Sequence, residues 1–334
     1  MNPTANPQLV ESDLIDAKTS IDKINNAFRK KVVGQEELRL SLLVSLIAGG
    51  HILLESVPGL AKTLAAKTIA EATSGSFSRV QCTPDLLPSD IIGTQIYNAQ
   101  NASFETQIGP VHANFVLLDE INRSSAKTQS AMLEAMQERQ VSIGGIKYEM
   151  PDPFFVLATQ NPIEQEGTYE LPEAQLDRFL LKEVITYPSR DEELQVLNYT
   201  IAGATTAPLA DSEKVGIDAV KKMQEYCKRV AVDDSIKNYI INIVQATRNP
   251  KEVIDLNLAH YVEYGVSPRG SLSLMRVAQA LALINNRAYV TPDDVKQLRH
   301  AALRHRIILN YEAEADGVHS ESIIDAIFSK IKTP

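Results

Sequence analysis

Five short runs of apolar and β-branched residues, at 51–55, 77–82, 115–119, 154–159 and 179–186, dominate the first two thirds of the chain. Segments of helical periodicity, at 62–74 and 125–139, lie between most of them. A near-continuous apolar run is the pattern of a strand buried on both faces, and parallel strands need crossover connections that are usually helical. The expected fold is therefore α/β, a five-stranded parallel sheet with flanking helices.

Two regions exceed a minimal alternation. Residues 88–112 carry Gly93, Gly109 and Pro110 among polar residues, and 140–152 read as a hairpin, with Gly144-Gly145 between Val141-Ser142-Ile143 and Ile146-Lys147-Tyr148. Both read as insertions protruding from the sheet. Ahead of it, Leu14, Ala17, Ile21, Ile24 and Phe28 recur at helical spacing over 12–30. A second helix follows Val32-Val33-Gly34-Gln35, with Leu38, Leu42 and Leu46 on one stripe and Gly49-Gly50 as its stop. Strand texture ends near 188, and 200–210 is a small, polar, linker-like stretch. Helical patterns resume at 213–230, 234–248, 268–287, 292–303 and 321–331, with Thr291-Pro292-Asp293-Asp294 as a capped start. The expected organisation is an N-terminal helical extension at 1–30, an α/β core at 31–200 and a smaller all-helical domain at 211–334.

Composition narrows the function classes. Of 334 residues, 33 are Lys or Arg and 42 Asp or Glu, a net charge of −9. General nucleic-acid binding, which needs cations to neutralise phosphates, is disfavoured. Nothing approaches the roughly 18 consecutive apolar residues of a membrane span, and residues 1–10 do not resemble a signal peptide. The two cysteines, Cys82 and Cys227, suit a reducing cytoplasm, the compartment expected here. The six histidines form no zinc-binding spacing. Arg299-His300 and Arg304-His305-Arg306 read as a solvated helix face or a subunit contact, since no aromatic residues interleave them. No G-x-S-x-G elbow supports a serine hydrolase.

Between the first strand and the next helix stands Ser56-Val57-Pro58-Gly59-Leu60-Ala61-Lys62-Thr63. A phosphate-binding loop belongs at that place, with backbone N–H groups around the anion, Lys62 on the β- and γ-phosphates and the Thr63 hydroxyl on Mg²⁺. Ser56 and Ala61 replace the two glycines of the usual G-x-x-x-x-G-K-[ST] pattern. Ala61 fits if its backbone is already helical, because a missing glycine matters only at positive φ or very close approach; Ser56 is then the more consequential change. A Pro-Gly turn before a helix start is the competing reading.

The third apolar run ends in Asp119-Glu120. Asp119 is assigned to Mg²⁺ through water, and Glu120 to the attacking water. Strand-end acids alone are common, but a phosphate loop followed one strand–helix unit later by an acidic strand end is the order a P-loop nucleotide hydrolase requires. Asn161, after the fourth run, can bond the γ-phosphate or the water, although Asn161-Pro162 alone reads as a turn. Arg178 can stabilise charge on a neighbour's ATP, or pair on the surface with Asp177. Arg269, in Ser267-Pro268-Arg269, can approach a phosphate or simply open a helix.

Taken together, these segments resemble the MoxR family of AAA+ ATPases. The resemblance rests on Val32-Val33-Gly34-Gln35, Pro58-Gly59-Leu60-Ala61-Lys62-Thr63, Asp119-Glu120-Ile121-Asn122-Arg123, Leu133-Glu134-Ala135-Met136-Gln137-Glu138, Ala158-Thr159-Gln160-Asn161-Pro162, Leu176-Asp177-Arg178-Phe179 and Ser267-Pro268-Arg269. It runs from about residue 30 to 330. Ala61 agrees with many members; Ser56 stands where members usually have glycine.

The resemblance implies an ATPase using ATP and Mg²⁺. Val33, Gly34 and Gln35 would lie near the adenine, and 56–63 with Leu64 around the phosphates. Asn161 would be sensor 1, Arg178 the arginine finger and Arg269 sensor 2, acting in cis or in trans. Segment 90–108 would be a helix-2 insert and 140–150 the hairpin before sensor 1, marks of a clade that includes magnesium chelatase ATPase subunits. Members are expected to form hexameric rings and to act as chaperone-like remodellers, often with a von Willebrand A-domain protein, in assembling client proteins or inserting their metal cofactors. A DNA-loading ATPase is the first alternative, disfavoured by the acidic balance and the lack of a winged-helix tail. A non-hydrolysing nucleotide-binding scaffold is the second, motivated by Ser56.

Overall fold

The computed structural model describes residues 9–162, 169–203 and 205–334. The chain opens with α1 (Glu11–Lys31) and α2 (Glu36–Ile47), then enters the sheet with β1 (Ile52–Glu55), α3 (Lys62–Ala72) and β2 (Phe77–Gln81). A first insert follows, α4 (Pro88–Ile92) with the hairpin β3 (Gly93–Asn98) and β4 (Ser103–Ile108). Next come β5 (Phe115–Asp119), α5 (Ala126–Glu138), the second hairpin β6 (Gln140–Ile143) and β7 (Ile146–Glu149), then β8 (Phe155–Gln160), α6 (Glu173–Leu176), β9 (Leu181–Val184) and α7 (Arg190–Ile201).

The sheet has five strands in the order β2-β5-β8-β1-β9, and every pairing within it is parallel. Its two faces divide by the strand period of two. Ile52, Leu54, Phe115, Leu117, Phe155 and Leu157 enter one buried cluster, and Leu53, Val116, Leu118, Val156 and Ala158 enter another. The first cluster also takes Ile21, Ile24 and Phe28 of α1 and Leu274, Val277 and Leu281 of the C-terminal domain. Helix α1 is therefore packed between the sheet domain and the helical domain. The second cluster covers Met132, Leu133 and Met136 of α5 and reaches the inserts through Ile91 and Ile143.

The C-terminal domain comprises α8 (Ile217–Arg229), α9 (Asp234–Arg248), α10 (Leu256–Ala259), β10 (Val262–Tyr264), α11 (Pro268–Ile284), α12 (Pro292–Gln297), α13 (Arg299–Leu303), β11 (Ile308–Leu309), α14 (Tyr311–Ala315) and α15 (Ser320–Lys330). It is helical apart from a short antiparallel ladder between β10 and β11, too brief to show as an alternating pattern. The single helix expected over 292–303 is divided at Leu298. None of the residues of α7 is buried, although Leu194, Leu197 and Ile201 share one face at helical spacing, a signal the sequence reading passed over. Its capping box is a second signal: Ser189 Oγ accepts from the Glu192 N–H, while the Glu192 carboxylate accepts from the Ser189 N–H. Among the described residues no helix is long and apolar enough to cross a membrane.

Candidate nucleotide site

Parallel strands in register bring their C-terminal ends to one edge. Glu55 of β1 pairs with Gln160 of β8, and Leu118 of β5 with Ala158. The phosphate loop, the two acids and Asn161 therefore emerge side by side. Ser56 continues the ladder one step, its N–H donating to the Gln160 carbonyl at 3.1 Å.

The two replaced glycines behave oppositely to expectation. Ser56 is buried and is not among the residues with positive φ, so a side chain is tolerated there. Ala61 is the strained position: φ is 55° and ψ 18°, left-handed rather than helical. Its Cβ costs roughly 1 kcal/mol in this region, which alanine, the smallest residue with a Cβ, survives. Gly59 keeps φ at 89° with open space around it. Helix α3 has no side-chain cap and no acidic residue in its first turn. Its leading N–H groups are thus left for an anion. Lys62 Nζ donates to the Ser56 carbonyl at 3.3 Å. Burial pushes the Lys62 ammonium below the usual lysine range, while Asp119 and Glu120 pull it back up.

Asp119 and Glu120 are tied together by Thr159, a residue that sequence reasoning did not single out. Its hydroxyl donates to Asp119 Oδ1 at 2.9 Å and accepts from the Glu120 N–H at 2.8 Å. Glu120 itself is held at φ 56° and ψ 52°, the kind of local strain that collects at functional sites. Two further unforeseen residues reach across from β2. Arg79 binds Asp119 Oδ2 through Nε at 3.0 Å and Nη2 at 2.5 Å. Gln81 Nε2 donates to Glu120 Oε2 at 2.9 Å, and Arg123 Nη1 reaches the same oxygen at 3.2 Å. Asn161 is buried beside this cluster at 5% exposure.

Thr63 and Asp119 supply a hydroxyl and a carboxylate, an all-oxygen set suited to Mg²⁺. No group of three or more His, Cys, Asp or Glu among the described residues could hold a metal alone. At the start of α2, Gly34 and Gln35 are both left-handed, at φ 63° and 55°. A Cβ on Gly34 would stand 2.4 Å from Glu192 Oε1. Gln35 Nε2 donates to the Thr186 carbonyl at 3.3 Å, beside a cavity of about 160 Å³ that Leu38, Val184 and Tyr187 help to line. Val33 precedes this turn, half-buried.

Arg178 and Arg269 lie elsewhere. They line one cavity of about 330 Å³ together with Arg139, Arg276, Arg306 and Asp177. Gly50 and His51, which precede β1, and Leu180, which precedes β9, also line it. The cavity thus opens at the N-terminal edge of the sheet. The phosphate loop is at the other edge, on the order of 10 Å away at the usual strand rise. Arg269 is brought to Arg178 and not to Lys62.

The surface pairing of Arg178 with Asp177 is corrected. Asp177 accepts from Arg306 Nε and from Ser267 Oγ, both at 2.8 Å. Arg178 Nε is buried without a hydrogen-bond partner among the described residues. The basic cluster is corrected as well: His305 and Arg306 are buried, with His305 Nε2 3.1 Å from the Phe179 carbonyl. The exposed positions of a two-turn pattern cannot be told from buried ones when the burying partner is a distant loop.

Relatives agree with this geometry. The sequence profile of the ATPase family associated with various cellular activities (AAA) matches residues 51–181, and that of the AAA lid domain matches 255–327. The chain is 46% identical to the chaperone MoxR1 of Mycobacterium tuberculosis, over 92% of this chain and 80% of that one. The chain belongs to the MoxR family of AAA+ ATPases. It is also 45% identical to the Bacillus subtilis protein YeaC, over 96% of each chain. A crystal structure of a candidate ATPase from Cytophaga hutchinsonii superposes with a TM-score of 0.88 at 46% identity, covering 97% of this chain and 98% of that one. The family's sheet and lid are the two domains described above.

Proposed function

We propose that this MoxR-family protein hydrolyses ATP at the edge formed by Lys62, Thr63, Asp119, Glu120 and Asn161, and does so only when assembled. Lys62 and the N–H groups of α3 hold the phosphates, Glu120 takes a proton from the attacking water, and Asn161 orients that water. The turn at Val33, Gly34 and Gln35 receives the adenine. Thr63, and Asp119 through water, would hold Mg²⁺, which would supply charge neutralisation at the phosphates.

One observation carries the assembled form: Arg178 and Arg269 share a cavity at the sheet edge opposite their own phosphate loop. A cation there serves a nucleotide only on a second copy, and two different edges meeting head to tail generate a ring. A hexamer is the ring size we adopt, with both arginines acting in trans. The cycle drives chaperone-like remodelling of a protein client, a reading supported by the name of the MoxR1 relative. Metal-cofactor insertion, and a von Willebrand A-domain partner, are the specific forms proposed. The cytoplasm is the proposed location.

The test is Mg²⁺-dependent phosphate release by the purified protein, with Glu120→Gln beside it. Loss of a general base typically costs ~10²–10⁴-fold in rate. The variant should bind ATP, lose that much turnover and retain clients in a pull-down. Wild-type turnover by Glu120→Gln would move the base elsewhere, and no turnover by the assembled wild type would leave a nucleotide-binding scaffold.

A further inference from the structure

The acceptor positions of Asp119 are almost all in use within the protein. Each carboxylate oxygen offers about two. Arg79 fills both on Oδ2, through Nε at 3.0 Å and Nη2 at 2.5 Å. Thr159 Oγ1 takes one on Oδ1 at 2.9 Å. The Asp119 side chain is only 10% exposed, so solvent adds little. Mg²⁺ keeps several of its waters when it binds a protein, and those waters reach a carboxylate as O–H donors. The one remaining position lets Asp119 take a single water of such a shell while Arg79 stays in place.

The two partners of Asp119 differ in how readily they leave. Thr159 sits on the adjacent central strand and also accepts from the Glu120 N–H. Arg79 is on β2, the edge strand of the sheet, with a side chain 49% exposed. A half-exposed guanidinium can swing into water, but the Asp119 carboxylate it leaves is buried, so Arg79 departs only as another cation takes its place at Asp119. Its Nη2 also reaches Gln81 Oε1 at 3.3 Å, and Gln81 in turn holds Glu120. The arginine that would leave is therefore linked to the side chain that restrains the proposed base.

We propose that Arg79 is an internal counter-ion that competes with Mg²⁺ for Asp119, and so sets how much free Mg²⁺ the protein needs to retain a nucleotide. This rests on the reading of Asp119 as the metal-side carboxylate. Arg79 is a positioning residue, acting on the site through Asp119 and Gln81.

The experiment is a fluorescence titration with mant-ADP, at free Mg²⁺ stepped up from zero in EDTA, for wild type, Arg79→Ala, Arg79→Lys and Asp119→Asn. Wild type should bind more tightly as Mg²⁺ rises. Arg79→Ala should reach half its Mg²⁺ effect at a concentration about three- to tenfold lower, the worth of a half-exposed charged hydrogen-bonded pair, without binding more tightly in EDTA. Arg79→Lys, which keeps the charge but not the two-pronged contact, should shift the same way by less, and it decides the matter if Arg79→Ala does not fold. Asp119→Asn should lose most of the Mg²⁺ effect. An unchanged or higher Mg²⁺ requirement in the foldable Arg79 variants overturns the inference and leaves the assignment of Asp119 standing. A wild type whose nucleotide affinity ignores Mg²⁺ overturns that assignment itself.

Discussion

Arg306 Nε donates to Asp177 Oδ1 at 2.8 Å, from a side chain only 1% exposed. The guanidinium also reaches the carbonyls of Phe179 and Leu180 and the hydroxyl of Ser273. Ser267, the cap of α11, donates to the other Asp177 oxygen. The helical domain thereby grips the loop that carries Arg178 and sets it beside Arg269. Burial brings the Arg306 guanidinium down to about 10, with Asp177 opposing the fall.

Removing Asp177 leaves that charge buried and unpaired. Such changes typically cost about 3–5 kcal/mol. Asp177→Ala should lower the thermal midpoint accordingly, and below that midpoint should bind mant-ATP normally while hydrolysing slowly, because Arg178 loses its support. A melting curve that overlays wild type would show that the other acceptors satisfy Arg306 alone.

Lys62→Ala should abolish ATP binding, since the loop has no other cation among 56–63. Arg178→Ala should bind ATP and stay slow at every protein concentration, because trans-acting arginines contribute about 10³–10⁵ in rate. A mixture of the two variants restores an intact loop on one copy facing an intact arginine on the next, so activity should partly return. Mixtures shown by sedimentation to co-assemble, yet still inactive, would refute the trans role.

Ala61→Gly removes a Cβ from a residue at φ 55°. The expected gain is about 0.5–1 kcal/mol in urea denaturation, with ATP affinity retained. Ala61→Val, β-branched at the same φ, should lose stability and binding together. A destabilised Ala61→Gly protein would mean that the left-handed conformation costs nothing here.

Two buried histidines make stability depend on pH. Burial, then the nearby Arg139, depress the His51 imidazole to about 4, against a bond to the Met136 carbonyl. Burial, then Arg306, hold His305 well below its ordinary value. The unfolded chain therefore binds these protons first. Stability should be full above about pH 6.5 and fall as pH drops toward 4, by up to about 1.4 kcal/mol per pH unit for each histidine. Urea midpoints between pH 7.5 and 5.5 read this window, above the range where Glu36, held at about 2 mainly by Arg29, contributes. A flat profile would show that both rings charge in the folded protein.

The legible part of the molecule is what local pattern encodes. Continuous apolar runs marked β1, β5 and β8, which are almost wholly buried, while β2 buries only Val80 and β9 alternates; Gly144-Gly145 marked the second hairpin, because buried strands and tight turns each require residue types within a few positions. The order of the phosphate loop and the acidic strand end marked the nucleotide edge for the same reason. Helix α7 is the exception: Leu194, Leu197 and Ile201 share one face at helical spacing, yet none of its residues is buried.

By itself the sequence determined the parallel sheet, its crossovers and the family, and it named the residues proposed to hold a nucleotide. The tertiary structure alone decided which of them meet. Arg79 meets Asp119, forty residues on, and Gln81 meets Glu120 only because β2 and β5 pair with Gln81 opposite Asp119. Arg178 and Arg269 share a cavity because the helical domain folds back over the start of β1 and β9. The backbone sign at Ala61 belongs to the same class. Strand register, domain docking and a single left-handed residue are set by close packing between distant segments, which leaves no periodic trace in the chain.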